Sequence, residues 1–319
     1  MNANRAALMA WFFLCGSMAV SQGAERSYRG STPANEPILK ALDVSTKPPE
    51  LIQWQLTLVR DDRTGEPVRY RLRTKYGNTT PNRPGLGDSG KVVERSGNCR
   101  VLPETKAKGS DATGEIYELG PISVAAVGPN LLHLVNADGS LMVGDGGWSY
   151  TLNATDAEEK VVDPVLAATV PDMSYRIEPL ATGQNVFAVF EGRTPALGIA
   201  QQLKIPVPPS ATKAKWRVTL YQDTNTHEPT TFKVEGTLFR PAKRGGKWAI
   251  MRAKDGGSTR TTYELKFADA DLSIRLLAGD ANVLFFLGDD GKPLVGNGDF
   301  SYTLNRKTGP AVISQAPAR

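Results

Sequence analysis

The 319-residue chain is 40% apolar, holds 31 glycines and 22 prolines, and carries a formal net charge of +5. That suits one or two cored domains built from short elements joined by turns. Lys and Arg are scattered, with no dense basic block or reading helix, which argues against nucleic-acid binding, and no later 18-residue apolar run exists to span a membrane.

At the amino terminus, Arg5 leads the apolar run of residues 6–14 (AALMAWFFL), and the small residues Gly16, Ser17, Ala19, Ser21, Gly23 and Ala24 follow. This order predicts a secretory signal peptide over 1–24 and a periplasmic or secreted protein. Cys15 raises the alternative of an outer-membrane lipoprotein anchored there, but Phe13 and Leu14 are bulky where a lipid-attachment signal has small residues. Without Cys15, Cys99 is left alone, so no internal disulfide is expected.

The rest of the chain is one module used twice. NLLHLVNADGSLMVGDGGWSYTLN (130–153) matches NVLFFLGDDGKPLVGNGDFSYTLN (282–305) at half its positions without a gap. Upstream, WQLTLVRDDRTGEPVRYRL from Trp54 answers WRVTLYQDTNTHEPTTFKV from Trp216, and Tyr28 to Ala34 answers Phe190 to Ala196. The modules are placed at 28–153 and 187–305, the connection at 154–186 and a disordered tail at 306–319.

Within a module, Thr194-Pro195 (Thr32-Pro33 in the first) reads as an N-cap and first helical turn, with Ile199 and Leu203, or Ile38, Leu39 and Leu42, on one face. Alternating runs follow, such as residues 216–221 (WRVTLY), 231–239 (TFKVEGTLF) and 262–267 (TYELKF), with Asp290-Gly291 as a type I′ hairpin turn. Seven or eight short strands per module predict an all-β protein: two tandem small antiparallel β-barrels, each with one short helix. Module 1 has the longer central loop, around residues 81–90, and is expected to be the looser of the two.

No catalytic or metal site emerges. His133 aligns with Phe285 on an apolar strand and His227 with Gly65 in a hairpin loop, so neither joins a ligand cluster. The Gly85–Val92 segment (GLGDSGKV) lacks the Ser or Thr that a phosphate loop places after its Lys. Arg95 and Arg100 flank Cys99 and could lower its pKa, but no base lies near it in sequence. Asp138, Asp289 and Asp290 sit beside turn glycines, where Asp usually bonds its own backbone. Tyr150 and Tyr302, in the duplicated Ser-Tyr-Thr-Leu-Asn strand, read as core or rim residues.

Residues 215–221 (KWRVTLY), 231–236 (TFKVEG), Gly246-Lys247-Trp248 and 283–291 (VLFFLGDDG) resemble the N-terminal domain of the NlpE lipoproteins. The resemblance implies a lipocalin-like barrel in the cell envelope, linked to copper resistance and envelope-stress or surface sensing, without catalysis. The family's Cys-x-x-Cys is missing from both modules, so no copper site and no other cofactor or site residue carries over. The expectation is therefore a non-enzymatic exported cell-envelope protein that binds an unidentified envelope ligand or protein or acts in envelope-stress or copper response. The alternatives are a surface-interaction protein with filled barrels and an unrecognised hydrolase.

Overall fold

The structure, a computed structural model, describes residues 24–44, 48–80, 85–87, 90–102, 107–110, 112–157, 182–208, 210–239, 244–255, 258–268 and 272–307. The expected signal peptide, Cys15 within it, most of the connection and residues 308–319 lie outside the described residues. No helix among the described residues is long and apolar enough to cross a membrane.

The first barrel comprises β1 (Glu25–Pro33), α1 (Glu36–Ala41), β2 (Leu51–Arg60), β3 (Pro67–Gly77), β4 (Lys91–Asn98), β5 (Arg100–Leu102), β6 (Ile116–Leu119), β7 (Ile122–Val127), β8 (Leu131–Val135) and β9 (Thr151–Ala154). Its sheet runs β4-β3-β2-β1-β9-β8-β7-β6-β5. The two end strands are halves of one bent run, parted by Cys99 alone, whose N–H donates to the Val68 carbonyl at 2.9 Å. The barrel is thus nearly closed.

The second barrel comprises β10 (Gln184–Pro195), α2 (Ala196–Gln202), β11 (Lys213–Asp223), β12 (Pro229–Gly236), β13 (Arg244–Asp255), β14 (Ser258–Phe267), β15 (Ser273–Ala278), β16 (Val283–Phe286) and β17 (Thr303–Arg306). Its eight strands close fully, with β10 bonded to β17. Each barrel is an up-and-down meander, as the alternating pattern requires.

Alternation sends one set of side chains inward. In β3, Tyr70, Leu72 and Thr74 are buried while Arg69, Arg71 and Arg73 are exposed. Gly30 and Gly192 let β1 and β10 approach the closing strands. A Cβ at Gly30 would lie 2.7 Å from the Thr151 carbonyl oxygen, and one at Gly192 2.6 Å from that of Thr303.

Two local expectations are corrected. Thr32 and Thr194 do not cap helices; each accepts the indole N–H of a buried Trp, Trp54 at 2.8 Å and Trp216 at 2.9 Å. The α1 cap is Asn35, whose Oδ1 accepts from the Ile38 N–H at 3.0 Å, and α2 has no side-chain cap. Nor is Asp290-Gly291 a type I′ turn. Gly291 alone has positive φ, at 75°, and its N–H donates to the Gly288 carbonyl. The connection is therefore a type I turn followed by a left-handed glycine. Gly139 repeats it at φ 83°.

Candidate functional site

The duplicated Ser-Tyr-Thr-Leu-Asn strand lies at the contact between the barrels. Tyr150 and Leu152 point into the first core, and Tyr302 and Leu304 into the second. Burial pushes the Tyr150 hydroxyl pKa well up, which removes it as an acid at neutral pH. The opposite faces of the two strands meet. Ser149 Oγ lies 2.6 Å from Ser301 Oγ, and Thr151 Oγ1 lies 3.0 Å from Thr303 Oγ1. The Gly144 N–H donates to Asn305 Oδ1 at 2.8 Å, and the Gly296 N–H to Asn153 Oδ1 at 2.7 Å. Each residue meets its own repeat counterpart, or the counterpart of its partner, as across a two-fold axis.

An apolar cluster surrounds this ladder. Val127, Leu131 and Leu141 of the first module pack with Leu277, Val283 and Leu287 of the second. A sequence signal was available: β8 (LLHLV) and β16 (VLFF) are nearly continuous apolar runs, as strands covered on both faces are, and both are buried at every position. Symmetry breaks at His133, whose ring meets its counterpart Phe285 edge-on at 5.6 Å. Its Nε2 lies 2.8 Å from the Met142 carbonyl, so Nε2 carries the proton and Nδ1 accepts from Thr151 Oγ1 at 2.9 Å. Burial lowers its pKa to about 4. Arg193 reaches over Trp148 of the other module, 5.0 Å from the ring centroid.

Among the described residues, buried side chains pack inside both barrels. In the second, Trp216 packs against Phe286 at 4.9 Å and Phe239 at 5.3 Å, with Phe190, Leu265 and Tyr302 buried around them. In the first, Tyr28, Trp54, Leu56 and Leu119 fill the space, and Ile38, Leu39 and Leu42 from the α1 segment plug it. Each fully buried large side chain contributes about 1.5–3 kcal/mol relative to exposure.

The remaining sequence candidates stay apart. His227 occupies its hairpin loop at φ 60°, where Gly65 has φ 73°. Cys99 is half-buried against the first core, and burial raises its thiol pKa to about 11. The lowering expected from Arg95 and Arg100 is not found: burial outweighs the opposing charge of Arg60, while Arg95 donates to the Leu42 carbonyl at 2.9 Å and Arg100 pairs with Glu118. Lys91 begins β4 rather than a helix, so the Gly85–Val92 segment is no phosphate loop. Asp138 and Asp290 accept from the Ser140 and Lys292 N–H groups, as turn residues do. Among the described residues, no three His, Cys, Asp or Glu side chains converge as metal ligands would.

The outer wall of the first barrel offers a different site. A groove of about 540 Å³ lies over β2, β3 and β4. Register places Thr57, Arg71 and Ser96 in one row across it, and Gln55, Arg73 and Glu94 in the next. Arg69 and Lys75 continue the β3 stripe at either end, because alternate residues share a face. Arg73 Nε donates to Glu94 at 3.1 Å, and Arg71 pairs with Glu25. The basic residues, scattered by composition, are gathered here by strand period. Comparison of the chain with family models, curated proteins and solved structures returns no match.

Proposed function

We propose that this is an exported, non-catalytic interaction protein whose filled barrels act as a rigid scaffold and whose binding takes place on their outer walls. The observation that carries this is the packing of both interiors, where buried aromatic and aliphatic side chains occupy the volume a small ligand would need. The amino-terminal leader pattern and the NlpE resemblance support an envelope location. Catalysis finds no support in a high-pKa thiol, a low-pKa buried imidazole and tyrosines locked in the core.

Native mass spectrometry of the protein purified from its own source tests the reading. The expected spectrum is the bare chain, cleaved near residue 24, with no stoichiometric small molecule. An apolar ligand retained inside either barrel would overturn it.

A further inference from the structure

We infer that the joint between the barrels opens at one side only: the turn of residues 144–148 is a latch that lifts from the second barrel, while its repeat counterpart, the turn of residues 296–300, stays seated on the first. This goes beyond the scaffold reading, since it concerns how the two barrels move and holds whatever their walls bind.

Each module lays the turn before its closing strand across the other module, so the repeat makes the two turns a matched pair. Turn 296–300 is bonded to the first barrel three times. Ser31 Oγ donates to the Gly298 carbonyl at 2.8 Å, Asn153 Nδ2 donates to the Asn297 carbonyl at 3.0 Å, and Asn153 Oδ1 accepts from the Gly296 N–H at 2.7 Å. Gly85 then closes over the same turn. A Cβ there would lie 3.0 Å from Gln53 Nε2 and 3.3 Å from Asp299 Oδ1, an approach that suits a glycine.

Turn 144–148 keeps one bond of the three. The Gly144 N–H donates to Asn305 Oδ1 at 2.8 Å, but the buried Asn305 Nδ2 has no acceptor among the described residues. Arg193 takes the place of Ser31 and lies over the Trp148 ring, whose buried indole N–H also lacks an acceptor among the described residues. Register sets Arg193 directly opposite Lys215, like charge against like. The nearby carboxylates are committed elsewhere: Glu191 pairs with Arg217 and Lys307 on its own side of the joint, and Asp145 Oδ1 accepts from the Gly147 and Trp148 N–H groups. Within the turn, the Asp145 N–H bond to the Trp148 carbonyl is 3.3 Å long, against 2.8 Å for Asn297 to Phe300.

These differences set the direction of opening. A buried donor without an acceptor regains a hydrogen bond to water once it is uncovered. Lifting turn 144–148 breaks one hydrogen bond to the other module and frees two such donors. Lifting turn 296–300 breaks three and frees none.

Hydrogen exchange of the full chain, resolved at the Gly144 and Gly296 amides, tests the asymmetry. Both glycines follow a valine, so their exchange rates in an unfolded chain match. Gly144 should exchange about tenfold faster than Gly296, the ratio that one hydrogen bond's difference in opening gives. Ser31→Ala should raise the Gly296 rate severalfold and leave Gly144 unchanged. Equal rates in the wild type, or a faster Gly296, would overturn the inference. So would Ser31→Ala raising both rates together, because the barrels would then part as a whole.

Discussion

Acidification should weaken the protein through His133, at the contact between the barrels. The imidazole is fully buried and faces Thr151, the Met142 carbonyl and the Phe285 ring, none of which carries a charge. Its folded pKa is about 4, against about 6.5 in an unfolded chain. Because the folded value is depressed, the unfolded chain takes the proton first. The stability contributed by neutral His133 is therefore complete above about pH 6.5 and lost as pH falls toward 4. Relative to pH 7.5, linkage gives a loss of about 1.3 kcal/mol at pH 5.5 and about 2.5 kcal/mol at pH 4.5. Carboxylates also titrate in this range, with burial raising Asp280 and Asp299, so the His term must be isolated by difference. His133→Gln removes the titration while keeping a donor and an acceptor. Urea unfolding of both proteins at the three pH values should show the wild type losing more, by those amounts. Parallel losses in the two proteins would refute the assignment of the pH dependence to this imidazole.

Three further outcomes follow from contacts described above. Thr32→Val should cost about 1–3 kcal/mol in urea unfolding, because it leaves the buried Trp54 indole N–H without its acceptor. Adding Trp54→Phe should recover part of that loss, and no recovery would count against the bond as its cause. At the Ser149–Ser301 contact, each single Ala variant should cost about 1–2 kcal/mol, and the double variant less than their sum, in a double-mutant cycle. Strict additivity would mean that the two hydroxyls do not interact. Cys99 should react slowly with a thiol reagent at pH 8 in the native protein and rapidly in urea, since burial holds its pKa at about 11. Fast native labelling would show that the β4–β5 bend opens readily.

The barrels were legible because period-two alternation and a repeated spacing both survive in a single sequence. The same alternation reads Tyr150 and Tyr302 as core or rim residues, and both lie in the cores. What alternation cannot show is which outward face meets solvent. Ser149, Thr151 and Asn153 look like a wetted strand face, yet they bond to another copy of the same pattern. The helix starts were misread because a Thr before Pro satisfies a capping pattern as well as it satisfies a distant indole, and sequence holds no trace of that distance. Strand register sets Arg95 opposite Leu72, where it donates to the Leu42 carbonyl, and Arg100 pairs with Glu118, so flanking charge in the sequence is no guide to the thiol. The β3 stripe was visible all along in Arg69, Arg71, Arg73 and Lys75, but only once those residues were counted by strand face rather than by composition.

The two-fold character of the contact has a consequence for how it is held together. Two separate copies of such a barrel would have to find each other from solution, and their union would depend on concentration. On one chain the encounter is intramolecular, and the effective local concentration is set by tether length rather than by expression level. An interface relieved of supplying its own affinity tolerates change on one side. His133 facing Phe285, where a symmetric pair would place two identical rings, is a change of that kind, and it sets a single titratable ring, rather than a pair, at the joint.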